Sequence, residues 1–283
     1  PGLPRRAAAL LVPLLVAASS CGDPDAPTPA PDQPPAVDHQ ASEPDGSGQA
    51  TPPPAAPADP RLGQALEALG AGDLESCRLL ATAVLVDHPD HPRGHFLLGL
   101  GLHKAKRYAE ARPHLVAADA PGVDYESREA APYFRGWCHY YLGEYDEARA
   151  AFARHLETID EGDSHFGLGV VALELGELPE ARASLDRALA IFEGRVAAGD
   201  LASGLDLAKT HTRLADVDLA EEKDEDARAH VEAALAIDPS KAALWFKLYN
   251  LATAAGDEVT ARKALGEYEA RKSGAGAGMA MDR

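Results

Sequence analysis

Four stretches of this chain are variations on one theme: LLGLGLHKAKRYAEARPHL, FRGWCHYYLGEYDEARAAF, GLGVVALELGELPEARASL and, with fewer matches, LEALGAGDLESCRLLA. Each reads as an apolar segment, a break at Gly or Lys-Arg, an aromatic residue or Leu, an acidic residue, a small residue and a bulky one. The small residues opening each second segment are Cys77, Ala111, Ala148, Ala181, Ala227 and Ala261, with successive separations of 34, 37, 33, 46 and 34. A period of that length excludes a single layered domain and requires a stack of similar units, because one helical pair cannot bury its own apolar stripe but neighbouring pairs can bury each other's. Leu and Phe at intervals of three and four residues supply the stripe, and small residues let paired backbones approach closely.

The period and residue order resemble the tetratricopeptide repeat, a pair of antiparallel helices of about 34 residues. The Leu-Gly pair of that family's first helix is matched by Leu98-Gly99 and Leu168-Gly169, by Gly136 alone in the third unit and by Leu214-Ala215 in the fifth. Its turn glycine and following bulky residue correspond to Gly143 and Tyr145, and to Gly176 and Leu178. Its closing proline corresponds to Pro89 and Pro239, and its early tryptophan to Trp245. The resemblance spans residues 61–271 and implies an all-α fold, a right-handed superhelical solenoid of about six antiparallel helix pairs. Asp73, Asp146 and Asp257 stand where second helices start, as capping residues do. About twelve additional residues separate Ala181 from Ala227, and they remain largely helix-compatible around Gly199-Asp200. They read as an elongated helix pair turning near Gly199, with a looped insertion as the alternative.

The family lines its concave groove with first helices, which draws attention to YFRGWCHYYLGEYDEA, residues 133–148. Tyr133, Trp137, Tyr140 and Tyr141 follow helical spacing and share one side of a helix. Gly136 marks the side that must meet the partner helix. The resemblance therefore assigns a peptide-binding groove to Tyr133, Trp137, Tyr140 and Tyr141, joined by Phe96, Leu100, His103 and Lys104 from the unit before and by Phe166 and Val170 from the unit after. Rigid aromatics with polar tips are frequent interface anchors. The same rings could instead fill the space between repeats. The Lys and Asn pattern of a carboxylate clamp is absent.

Catalytic and cofactor motifs are not evident. DHPDHPRGH holds His88, His91 and His95 with Asp87 and Asp90 interleaved, but the histidines straddle a turn with two prolines and their spacing fits no zinc pattern. A solvated turn between repeats is the simpler reading. EEKDED, residues 221–226, reads as an exposed turn within the fifth unit. The two GxG strings, at Gly99 and Gly167, lack the strand that a dinucleotide site needs, and no nucleophile elbow, phosphate loop or HExxH string occurs. Catalysis, a metal and a cofactor are therefore not expected. Cys77 and Cys138 read as isolated thiols. A net charge of −18 speaks against a nucleic-acid partner and against charge-driven docking on anionic lipid.

Before Arg61 the composition changes: 15 of the 22 prolines lie there. Arg5 and Arg6 precede the apolar run AAALLVPLLVAA, then Ser19, Ser20 and Cys21, the order of an export signal. Twelve apolar residues are too few to span a bilayer of about 30 Å. Cys21 after small residues resembles the lipobox of bacterial lipoproteins, with Ala18 where leucine is usual, and this implies lipidation at Cys21 after removal of residues 1–20. An ordinary secretory signal is the alternative. Residues 21–60 are a Pro- and Ala-rich tether unable to bury enough apolar surface to fold, with a reach on the order of 120 Å, and residues 272–283 read as a disordered tail. The expectation is an exported bacterial lipoprotein on the periplasmic side of either membrane or at the cell surface. It would meet the membrane only through its lipid and bind a protein or extended peptide rather than a small-molecule substrate. An assembly factor for outer-membrane or pilus machinery is the narrower alternative, and a metal-dependent enzyme a more distant one.

Overall fold

The computed structural model describes residues 59–273. Cys21, the export-type segment, most of the expected tether and residues 274–283 lie outside them. All regular structure among the described residues is helical, which makes the fold an all-α repeat solenoid. The chain falls into two compact units, the first ending at Thr158 and the second beginning at Ile159.

The first unit holds α1 (Pro60–Gly70), α2 (Leu74–Asp87), α3 (Pro92–Lys104), α4 (Tyr108–Ala118), α5 (Ala131–Tyr141) and α6 (Tyr145–Leu156), with a 3-10 turn at Arg128–Ala130. Consecutive helices pair as hairpins, and α2 packs on α3 and α4 on α5. Small residues set the closest approaches. A methyl group on Gly136 would lie 2.7 Å from the Phe152 ring, and one on Gly99 2.8 Å from Leu115. Ala65 and Ala81 meet the same requirement in the first hairpin, both fully buried. Cys77 and Cys138 are both buried, and burial pushes the Cys77 thiol up to about 11.

The second unit holds α7 (Gly162–Glu174), α8 (Leu178–Ala197), α9 (Ser203–Ala220), α10 (Asp224–Ile237), α11 (Ala242–Ala254) and α12 (Glu258–Lys272). Its core includes Val231, Leu235, Leu244, Leu248 and Leu251. The additional residues lengthen α8 and α9 to 20 and 18 residues, with the chain reversing at Gly199, whose φ is +95°. The elongated helix pair is therefore what forms, not a looped insertion. The lengthening is anchored by packing, because Gly162 leaves room for the Phe192 ring, 2.8 Å from where a methyl would stand. Arg195 reaches Glu161 and Asp163 at 3.5 Å each.

Capping follows expectation at two of three places. Asp73 accepts from the Ser76 N–H and Asp257 from the Thr260 N–H. Asp146 does not cap, since α6 begins two residues earlier than the pattern suggested and places Asp146 inside the first turn. Glu144 holds the cap position there, but its carboxylate is turned toward Arg112 and His139 Nδ1 instead. A carboxylate offered a cation and an imidazole satisfies them in preference to one backbone N–H.

Candidate peptide-binding face

The side chains assigned to a groove stand on α3, α5 and α7. Helical spacing brings Tyr133, Trp137, Tyr140 and Tyr141 to one side of α5, as expected, but most of that side is closed. Tyr133, Trp137 and Tyr140 are 3 to 5% exposed. The Trp137 ring lies edge-on to Phe152, with centroids 5.2 Å apart, and Tyr133 lies 5.7 Å from the His155 ring. On α3, Phe96, Leu100 and His103 are also buried, and on α7 so are Phe166 and Val170. The expectation of an open aromatic groove therefore needs correction at these eight positions. Large rings that follow a small-residue contact fill the adjoining space, and leaving them in water would forgo their transfer free energy.

Lys104 and Tyr141 keep partial exposure. Tyr141 stacks on Tyr108, with centroids 4.3 Å apart and planes 15° from parallel. His103 lies behind them, edge-on to both Tyr108 and Phe134. Neither nitrogen of His103 has a hydrogen-bond partner, and burial drives its pKa down to about 3, so the ring is neutral at physiological pH. The face thus presents the edge of a Tyr108–Tyr141 stack backed by the buried rings of His103 and Phe134. Such a surface can seat an extended backbone and an apolar side chain. It offers no nucleophile–base pair.

The histidine-rich turn is built into local structure. His91 Nδ1 accepts from the Gly94 N–H and caps α3. His95 Nε2 lies 2.8 Å from the Pro89 carbonyl, the contact that Trp245 Nε1 makes with the Pro239 carbonyl. The carbonyl can only accept, so His95 carries its proton on Nε2 and its Nδ1 accepts from His114 Nδ1, 2.9 Å away. The same pair recurs as His211 and His230, also at 2.9 Å. Ring centroids 5.2 Å apart in both are what imidazoles meeting head-on through one proton give.

A recurring arginine was not singled out from the sequence, although its signal is plain. Every small residue opening a second helix is followed by arginine: Arg78, Arg112, Arg149, Arg182, Arg228 and Arg262. Arg112 pairs with Glu144 of the following hairpin. Arg182 pairs with Asp218 and Glu221 at 2.5 Å each, and Arg228 with Asp257 at 2.8 Å. Each ties one repeat to the next.

The tetratricopeptide repeat family model matches residues 62–122 and 136–196. No curated protein is significantly similar in sequence. Among solved structures, PilW, described as a widely conserved type IV pilus biogenesis factor, superposes with a TM-score of 0.60 at 16% identity, over 75% of this chain and 92% of its own. PilF of Pseudomonas aeruginosa gives 0.57 at 16% identity, over 72% of this chain and 87% of its own. The Cut9-Hcn1 assembly of the APC/C gives 0.59 at 14% identity over 75% of this chain, which spans only 39% of that one. At such identities the likeness is one of fold, and the sequence match to the tetratricopeptide repeat is carried by the two segments that the family model covers.

Proposed function

We propose that this chain is a non-catalytic scaffold of the bacterial envelope, anchored by lipid at Cys21 and holding a protein or an extended peptide against its repeats. The observation that carries the binding role is the repeat architecture itself. Within each compact unit small-residue contacts close the hairpins and arginine ties join one hairpin to the next, and the accessible Tyr141 edge and Lys104 stand on the first helices of their hairpins. The anchor rests on the order of residues 5–21, and the acidic balance of the chain leaves acyl chains as the means of attachment.

Two measurements test the reading. Cys21→Ser should move the protein from the membrane fraction to the soluble one, and a variant that stays membrane-bound through high-salt washing would overturn the anchor. A photo-crosslinking residue at Tyr141 or Lys104 should capture a discrete partner in intact cells. The same residue at Val86, exposed on α2, should not. Equal capture at all three positions, or none at Tyr141 and Lys104, would overturn the binding face. The narrower reading, an assembly factor for pilus machinery, is the one the likeness to PilW and PilF favours. It requires the captured partner to be a pilus or outer-membrane component.

A further inference from the structure

The interval from Ala111 to Ala148 is three residues longer than the 34-residue interval before it, and the added length lies between α4 and α5. It reverses at Ser127, which adopts a left-handed φ of 69°. Two contacts fix its course: Arg93 pairs with Glu126 at 3.0 Å, and the Tyr125 ring packs on Phe96 with centroids 5.5 Å apart. Behind this loop lies a cavity of about 280 Å³, the size of a small metabolite and near the lower end of ordinary ligand pockets.

Its chemistry is divided. On the buried side, Asp119 is neutralised by Arg135 at 2.6 Å and Arg154 at 3.0 Å. Arg128 also lines the cavity and has no acidic partner among the described residues. Besides Asp119 Oδ2, which faces the Arg135 guanidinium, two groups are enclosed without a hydrogen-bond partner, Tyr125 Oη and Arg128 Nε. Burial and the nearby Asp119 raise the Tyr125 pKa, so the phenol keeps its proton, and the guanidinium can only donate. Two enclosed donors without an acceptor are costly unless something brings oxygen to them. On the open side stand Asp124 and Glu157, both exposed, with Glu129 half-buried between. A simple anion would satisfy the inner donors but meet these carboxylates, whereas a simple cation would be attracted by the rim and leave the donors empty.

We propose that this cavity binds a small zwitterion of α-amino-acid size, its carboxylate on Tyr125 Oη and Arg128 Nε and its ammonium toward Asp124 and Glu157. The site is separate from the Tyr141 face and does not depend on the scaffold reading. Binding neutralises Arg128 from within and the rim acids from without.

The full chain provides the test, by thermal unfolding and saturation-transfer NMR against each of the common L-α-amino acids in excess, with acetate and methylammonium as half-ligands. At least one amino acid should raise the melting temperature and give saturation transfer, while neither half-ligand does so alone. Arg128→Met should weaken the apparent affinity by about tenfold or more. Tyr125→Phe should also weaken it while leaving the unliganded melt unchanged or higher, since it removes an enclosed donor. No response to any amino acid, undiminished binding in both variants, or acetate binding as tightly as the amino acid would each overturn the assignment. The last two results would mark the cavity as an unspecific or purely anionic notch.

Discussion

At the scale of single residues, the aromatic-rich stretch separates two uses of a ring. Trp137 sits on Phe152 and is almost wholly enclosed, so its truncation removes core. Trp137→Ala should destabilise the fold by about 3–5 kcal/mol, read as a fall in the thermal midpoint. Full retention of stability would mean the ring packs less closely than its contacts indicate. His103 is the opposite case, an enclosed side chain whose nitrogens find no partner. His103→Leu keeps the volume and removes both unsatisfied groups, and should stabilise by about 1–3 kcal/mol. A lower melting temperature for that variant would show that the imidazole is satisfied. The spacing that put Tyr133, Trp137 and Tyr140 on one helix face was legible, because periodicity reports direction around a helix. What covers that face is a tertiary matter, and a period alone does not distinguish solvent from the next layer of rings.

At the scale of elements, the hairpins were readable because each carries its instructions locally: a small residue where backbones meet, glycine at the reversal, and a capping aspartate at some second helices. The lengthened pair α8–α9 was readable for the same reason, since its additional residues keep helical character on both sides of Gly199. The links between hairpins were harder to see. An arginine after each small residue looks like an ordinary exposed helix position until its partner, 29 to 39 residues away in the solved contacts, is known. Arg182 shows what such a link does energetically. Its partner Asp218 is fully enclosed, and His230 Nε2, at 3.7 Å, is too distant to replace the guanidinium. Arg182→Met should therefore cost about 3–5 kcal/mol by stranding an enclosed carboxylate, and adding Asp218→Leu should restore much of the loss. A double variant no more stable than the single one would show that Asp218 is not the group penalised.

At the scale of the whole chain, the balance of charge states predicts how the fold responds to pH, and two opposing sets of groups decide it. Burial lowers the pKa of His103 to about 3 and of His155 and His211 to about 4, with His230 also repelling the charged form of His211. Unfolded histidine titrates near 6.5, so between 6.5 and 4 the unfolded chain binds protons that the folded chain refuses. Stability supported by these three rings is complete above pH 6.5 and is lost as the pH falls toward 4. Asp163 acts in the other sense. Burial, with Asp206 and Glu161 close by, raises its pKa to about 7 despite Arg195, so the folded chain holds a proton that the unfolded chain releases near 4. Its contribution is present below pH 4 and is lost between pH 4 and about 7, with no further change above. Both windows lie below about pH 7, where three rings outweigh one carboxyl, so the thermal midpoint should rise from pH 4 to about 6.5 and then level off, with Asp163 lessening the rise. Asp163→Asn should therefore change the midpoint little near pH 4 and raise it increasingly up to about pH 7, whereas His155→Phe should make the rise between pH 4 and 6.5 shallower. A gain from Asp163→Asn that is the same at pH 4 and at pH 8 would contradict the role given to Asp163. An Asp163→Asn variant whose whole pH profile matches the parent's would show that this carboxyl holds no additional proton in the fold.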